Sequence, residues 1–309
     1  MNRFPIEVRS YPAGTTSTAP DGYRRVVGDS DHRWTILHHH FPGLRRFLTS
    51  SSLLINAYPA ALGLAGRMPL VPHALHRPTF VRGLASAVQE ARPVVLAAQP
   101  LAGADHLLFA ADAERELPSE ILWVTGGYPL PRSLEAVVRR RLAERESRLS
   151  VLFSYGVAEV GHTCFAADRR DAAGRPIYRC LIPGLQVDSV EERSAGVGEE
   201  SYLVHPNGRR ANTGDRLEAV ADGWRIHSGP KRLAPQVQAE LERWDEARWR
   251  RRTGYLRFAG SASHRTHFQL RDTIEMAVDR NEVTYHDFAD RYGGTFQVKP
   301  RWTADRATT

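Results

Sequence analysis

The chain has 309 residues, 42% of them hydrophobic, and a formal charge of +7. That length suffices for one large domain or for one large and one small, and no apolar run approaches the ~20 residues of a membrane helix. Two cysteines, Cys164 and Cys180, exclude a disulfide framework and favour a reducing cytoplasm.

The positive charge raises the possibility of a nucleic-acid partner. Its composition argues against one: of 42 basic residues only Lys231 and Lys299 are lysines. The Arg- and Ala-rich bias looks like that of a GC-rich genome. The Arg clusters at 139–141 and 250–252 lie in helical patterns, where they read as solvated faces. A basic nucleic-acid-binding protein therefore has charge in its favour and no motif. The N-terminal "MNRFPIEVRSYP" has no apolar core before a small-residue cleavage site, so no secretion signal is expected. Neither a nucleic-acid nor a membrane partner is expected.

In chain order, residues 1–30 are turn-rich, with "YPAGTTSTAPDGYRR" as a loop. A short strand pattern spans Trp34 to Leu37, followed by His38, His39 and His40. The apolar stretch "SLLINAYPAALGLAG" reads as a buried helix or strand. Residues 78–117 then predict helix, strand and helix: "TFVRGLASAVQEA" has helical periodicity, "PVVLAAQP" is a buried-strand run and "GADHLLFAADAER" is helical again. "EILWVTGGYPLP" is a buried strand running into a glycine turn. "RSLEAVVRRRLAER" is an amphipathic helix opened at Ser133, and "LSVLFSYGVAEVG" is a second buried strand ending in a glycine turn. Strands alternating with helices predict an α/β fold with a mainly parallel sheet core. From about 176 to 229 the pattern changes to short strands and Gly-containing turns, a β-rich subdomain. There, Asp222-Gly223 predicts a hairpin within "NTGDRLEAVADGWRIHSGPKRL". From 234 the chain turns helical and charged, a small α+β C-terminal domain. The expected division is a core over 1–229 and a small domain over 230–309.

In open α/β sheets, ligands bind outside the carboxyl ends of strands. Two strand-to-glycine junctions follow one another here, Thr125-Gly126-Gly127 and Tyr155-Gly156-Val157-Ala158-Glu159, and the Thr213-Gly214-Asp215 turn comes later. In order and content these resemble the adenylate-forming superfamily of acyl-CoA synthetases, nonribosomal-peptide adenylation domains and luciferases. "TGGYPLPRSL" is similar to its Gly-Gly-x-Pro-Leu segment. "YGVAEVG" is similar to its Tyr-Gly-x-Thr-Glu motif, with Ala158 for the usual threonine. "NTGD" and "DGWRIHSGPKRL" are similar to its Thr-Gly-Asp and hinge motifs. More weakly, "PAGTTSTAPDG" resembles its glycine-rich phosphate loop, with Asp21 for lysine, Ser17 for a glycine and one extra residue. "HFPGL" resembles its His-x-x-Gly-Leu segment, and "GGTFQVKPRW" the segment carrying its catalytic lysine. The two lysines fall at the hinge and at this last segment, where the family needs an ammonium group rather than a guanidinium.

The resemblance implies attack of a small carboxylic acid on the α-phosphorus of ATP, with Mg²⁺, to give an acyl adenylate. The acyl group then passes to a thiol (CoA or a carrier protein) or to an amine, in specialised metabolism. Adenylation of another oxyanion, such as nitrite, is a minor variant. It implies that Asp215, on the turn begun by Thr213, accepts hydrogen bonds from the ribose hydroxyls; an Asx-type turn is the other use of such a residue. Glu159 would hold the metal, or serve as a helix-start charge. Tyr155, next to Gly156, would lie along adenine, or be a core aromatic. Gly126 and Gly127 would let backbone approach the ligand, or simply turn. Gly14, Thr15 and Thr16 would cradle phosphates, or form a flexible loop. His40 would border the acyl pocket, and three adjacent histidines do not present one metal-binding side on a strand. Lys299 would contact the carboxylate and bridging phosphate oxygens. Lys231 sits at the pivot, where Pro230 replaces the usual arginine and fixes φ. The family carries further sequence before the phosphate loop and a longer small domain, so a homodimer or partner subunit is expected to cover exposed apolar faces. A degraded relative that binds a nucleotide or acyl ligand without turnover is the rival expectation, favoured by Asp21, Ala158 and Pro230.

Overall fold

The computed structural model describes residues 6–10, 23–27, 30–57, 68–71, 74, 77–113, 116–127, 129–157, 160–190, 200–208 and 210–227. The chain opens with strands β1 (Ile6–Ser10) and β2 (Tyr23–Val27), then helix α1 (Ser30–His40), a 3-10 turn at Pro42–Leu44, β3 (Leu53–Ala57) and β4 (Leu70–Val71). Next come α2 (Arg77–Gln89), β5 (Val94–Ala98), α3 (Pro100–Asp112), β6 (Glu120–Gly126), α4 (Arg132–Ala143) and β7 (Arg148–Val157). Seven shorter strands follow: β8 (Gly161–Ala167), β9 (Arg179–Cys180), β10 (Gln186–Val190), β11 (Glu200–Val204), β12 (Arg210–Asn212), β13 (Arg216–Val220) and β14 (Gly223–His227).

The centre is a seven-stranded sheet in the order β4-β3-β5-β6-β7-β8-β9. Its first five strands pair in parallel, and β8 and β9 add antiparallel pairs at one edge. All five residues of β5 are buried, because helices or loops cover both sides of the sheet. Strand periodicity divides its side chains between two cores. Leu96 and Ala98 join Trp123 and Phe153 beneath α2, α3 and α4. Val95 and Ala97 face Leu37, Phe41, Phe47 and Leu48 on the opposite side. Burying each large aliphatic or aromatic side chain contributes about 1.5–3 kcal/mol. In α4, Leu134, Val137, Val138 and Leu142 form the buried stripe and Arg139 pairs with Glu135 one turn earlier. The Arg139–Arg141 cluster is engaged there: Arg139 also reaches the Leu149 carbonyl, and Arg141 pairs with Asp112 and Glu144. The cluster at 250–252 lies outside the described residues.

Three sequence expectations change. Trp34–Leu37 belongs to α1 rather than to a strand. The bulky run "WTIL" has strand propensity, but Leu37, Phe41, Leu44 and Leu48 recur at spacings of four, three and four and are all buried, so the helical pattern governs. The turn-rich N-terminal reading also gives way, since "IEVRS" and "YRRVV" pair antiparallel, with Ser10 opposite Tyr23. The expected phosphate loop is the connection between these two strands, and its Gly14, Thr15 and Thr16 lie outside the described residues. Helix α4 starts at Arg132 after Pro131, without a side-chain cap, rather than at Ser133.

The β-rich subdomain holds a three-stranded sheet, β10-β11-β12, and the hairpin β13–β14. The hairpin turns at Ala221-Asp222, between the paired Val220 and Gly223. Gly223 is required twice over: its φ is +146° and a Cβ there would collide with the Tyr178 carbonyl. That closeness lets Tyr178 and Trp224 exchange two backbone hydrogen bonds of 2.9 Å, which fasten the hairpin to the main sheet just before β9. The C-terminal domain expected over 230–309 lies outside the described residues.

Candidate functional site

Strands β6 and β7 deliver their carboxyl ends side by side, with Thr125 opposite Phe153 and Gly126 opposite Ser154. A Cβ on Gly126 would come within 2.5 Å of the Ser154 carbonyl oxygen and hydroxyl, so glycine permits this close approach. Gly127 follows at φ +96° and turns the chain away from the sheet. Gly156 lies where the β7–β8 pairing shifts register between Tyr155 and Val157, an irregularity typical of ligand-bearing strand ends.

Between these ends lies a cavity of about 210 Å³. Thr125, Gly126, Gly127 and Leu130 at and after the end of β6, Phe153, Ser154 and Tyr155 of β7, and Gly174, Arg175 and Tyr178 of the β8–β9 connection line it. Arg225, Ile226 and His227 of β14 complete it. The volume is below the ~300–1,000 Å³ of pockets that enclose a drug-sized ligand, so it suits one ring system. Thr125 is 2% exposed, and its Oγ1 has no hydrogen-bond partner among the described residues. A buried hydroxyl without a partner beside a cavity is a group that an ordered water or a ligand can satisfy.

The Thr213-Gly214-Asp215 turn stands behind this cavity. The Thr213 hydroxyl lies 2.7 Å from the Ser201 carbonyl, to which it donates, and accepts from the Asp215 amide at 3.1 Å. The Gly214 amide donates to Asn212 Oδ1 at 2.8 Å, so the Asx-type contact belongs to Asn212. Asp215 is 1% exposed, and its Oδ2 accepts a 2.7 Å hydrogen bond from the Tyr155 hydroxyl. Tyr155 therefore lines the cavity with Gly126 and Gly127, while Asp215 grips Tyr155 from behind and Thr213 fixes the turn.

His40 is elsewhere. It ends α1, with its ring 5.2 Å from that of His39. Burial, His39 and the Arg179 guanidinium all push its pKa below the ordinary value. The His38 ring nitrogen Nε2 pairs with the Leu48 carbonyl, so the three histidines have separate surroundings. Among the described residues no three His, Cys, Asp or Glu side chains gather as a metal-binding group. Glu159, Lys231 and Lys299 lie outside the described residues. The donor set for Mg²⁺ is therefore not found among the described residues.

Sequence reasoning missed Thr125, Arg170, Tyr178 and the β14 residues as parts of the site. Tyr178 had a signal, because the Asp222-Gly223 hairpin needs a neighbour to pack on. Thr125 stands in the strand-to-glycine junction and the β14 residues in the "DGWRIHSGPKRL" segment, while Arg170 had no signal.

No family model and no curated protein sequence matches the chain. Among solved structures it is similar to an anthranilate CoA ligase in complex with anthranoyl-AMP, at 16% identity and a TM-score of 0.43, covering 72% of this chain and 46% of that one. It is similar to a luciferase-like enzyme from the nonluminescent mealworm Zophobas morio, at 13% identity and a TM-score of 0.44, covering 72% and 57%. It is also similar to a long-chain-fatty-acid-CoA ligase from Archaeoglobus fulgidus, at 14% identity and a TM-score of 0.46, covering 69% and 49%. The chain thus spans about half the length of these three solved structures.

Proposed function

We propose that the chain performs ATP-dependent, AMP-forming activation of a small carboxylic acid and passes the acyl group to a thiol or an amine. The observation that carries the reading is the meeting of three motifs far apart in sequence. Gly126 and Gly127 line the same cavity as Tyr155, and the Tyr155 hydroxyl is bonded to Asp215. A ring-sized cavity with an unpartnered hydroxyl at Thr125 suits a purine, whose edge offers both donors and acceptors. In this reading Tyr155 supports the base, Asp215 orients Tyr155 and anchors the ribose side, and the glycines admit the ligand to the backbone. Nucleotidyl transfer depends mainly on such positioning and on neutralising charge. The roles of Gly14, Thr15, Thr16, Glu159, Lys231 and Lys299 in phosphate, metal and carboxylate binding, and of His40 at the acyl pocket, belong to the same proposal.

A second reading, nucleotide binding without turnover, draws on the near-complete burial of Asp215 and its bond to Tyr155, which occupy an oxygen that a ribose would otherwise use. Acid-dependent ATP–pyrophosphate exchange over a panel of aliphatic, aryl and amino acids separates the two. Exchange with any acid supports activation. ATP binding with no exchange supports the second reading, and neither binding nor exchange removes both.

A further inference from the structure

Arg170 lies in the connection between β8 and β9 and is one of the residues that line the cavity. Its Nη2 donates to the Leu130 carbonyl at 2.9 Å, on the segment that follows Gly126-Gly127. Its Nη1 donates to the Gly174 carbonyl at 2.8 Å, within the β8–β9 connection to which Arg170 itself belongs. Nε and Nη2 both reach Glu135 Oε2 of α4, at 3.2 and 2.8 Å. The guanidinium carbon sits 4.5 Å from the centroid of the Phe153 ring, which also lines the cavity. The side chains of Arg170 and Glu135 are only 18% and 13% exposed.

One planar cation therefore touches three of the surfaces that bound the cavity and is held in plane by a carboxylate. The five-donor fork of arginine does this and a lysine ammonium cannot, because its three donors radiate from one atom and have no face to stack. The two carbonyls it binds belong to the connections that follow β6 and β8, not to a strand or helix. Removing the fork frees both connections to drift apart or inward.

We propose that Arg170 is a positioning residue that sets the width of the cavity and thereby its preference for a purine over a smaller pyrimidine ring, an inference that rests on the nucleotide reading above. Neither carbonyl contact alone would do this. The same guanidinium binds both, so their separation is fixed by the dimensions of a single rigid group.

The test is equilibrium binding of ATP and CTP to the full chain, with KM for ATP and for the acid in pyrophosphate exchange. Wild type is compared with Arg170→Lys and Glu135→Gln. The expected result for Arg170→Lys is a KM for ATP raised about tenfold, kcat changed little, and an ATP-to-CTP preference reduced about tenfold. Glu135→Gln keeps a hydrogen-bond acceptor and loses the charge, so it moves both quantities the same way by a smaller factor, and it decides the matter should Arg170→Lys fail to fold. A merely structural role would lower the fraction of active protein, reducing kcat while leaving KM and base preference in place. That pattern overturns the inference, as does wild-type selectivity in the folded variants. Wild-type protein that binds neither nucleotide overturns the nucleotide reading itself, and the inference with it.

Discussion

The hydroxyl of Tyr155 and the carboxylate of Asp215, 60 residues apart in sequence, share a buried hydrogen bond of 2.7 Å. It ties the end of a sheet strand to the turn before the β13–β14 hairpin. Hydrogen bonds to charged groups contribute about 1.5–3 kcal/mol. Tyr155→Phe is expected to lower the unfolding free energy by that amount, measured by urea denaturation. It should weaken ATP binding as well, since the ring loses what orients it. Unchanged stability would mean that the bond contributes nothing in solution.

Thr125→Val exchanges a hydroxyl for a methyl of similar shape. The Oγ1 has no hydrogen-bond partner among the described residues, and a buried polar group without one costs about 1–3 kcal/mol. The variant should therefore unfold at equal or higher urea than wild type while its KM for ATP rises severalfold. Stability and affinity moving in opposite directions is the signature of a group kept for a ligand. A variant both less stable and unchanged in KM would assign the hydroxyl to the fold.

Gly223→Ala places a Cβ against the Tyr178 carbonyl at a φ of +146°. Residues forced into such backbone regions cost on the order of 1–3 kcal/mol. The substitution should lower the melting temperature and break the paired hydrogen bonds between Tyr178 and Trp224. Amide hydrogen exchange at Trp224 is the direct readout, and protection equal to wild type would count against the role given to this glycine.

His40 titrates below its ordinary value of 6.5, chiefly because it is partly buried and then because His39 and Arg179 are near. A depressed folded-state value means that the unfolded chain takes up the proton first, so stability falls as the pH drops through about 6.5. His40→Asn is expected to lose less melting temperature than wild type between pH 7.5 and 5.5 (roughly a unit either side of the histidine's ordinary value). Parallel curves for the two proteins would show that His40 does not titrate differently in the fold.

Much of the central sheet could be read from the chain itself. The run "VVLAA" is buried on both faces and has no other stable use than an inner strand, and the 3.6-residue period of α4 survives three consecutive arginines because Leu134, Val138 and Leu142 hold one side. Asp222-Gly223 marked the hairpin, although the turn falls one residue earlier, at Ala221-Asp222, and Gly223 is already paired with Val220. Helix α1 was hidden because strand propensity in "WTIL" masks a pattern that becomes visible only when Phe41, Leu44 and Leu48 are counted with it. Tyr155, Gly126 and Gly127 were legible as strand-end residues. Arg170 was not, since its partners Leu130 and Glu135 lie 40 and 35 residues away and only the folded sheet brings them within reach. The burial of Asp215 behind Tyr155 was equally invisible, because a turn sequence carries no record of which side chain closes over it.

The most direct trial of the account is acid-dependent ATP–pyrophosphate exchange by the intact chain, run beside Asp215→Ala and Asp215→Asn. The account predicts exchange with at least one small carboxylic acid in wild type. It predicts none in Asp215→Ala, which should retain a folded circular-dichroism spectrum, and a reduced rate in Asp215→Asn, which can still accept from Tyr155. Exchange that persists in a folded Asp215→Ala, or a wild type inert toward every acid offered, would contradict it.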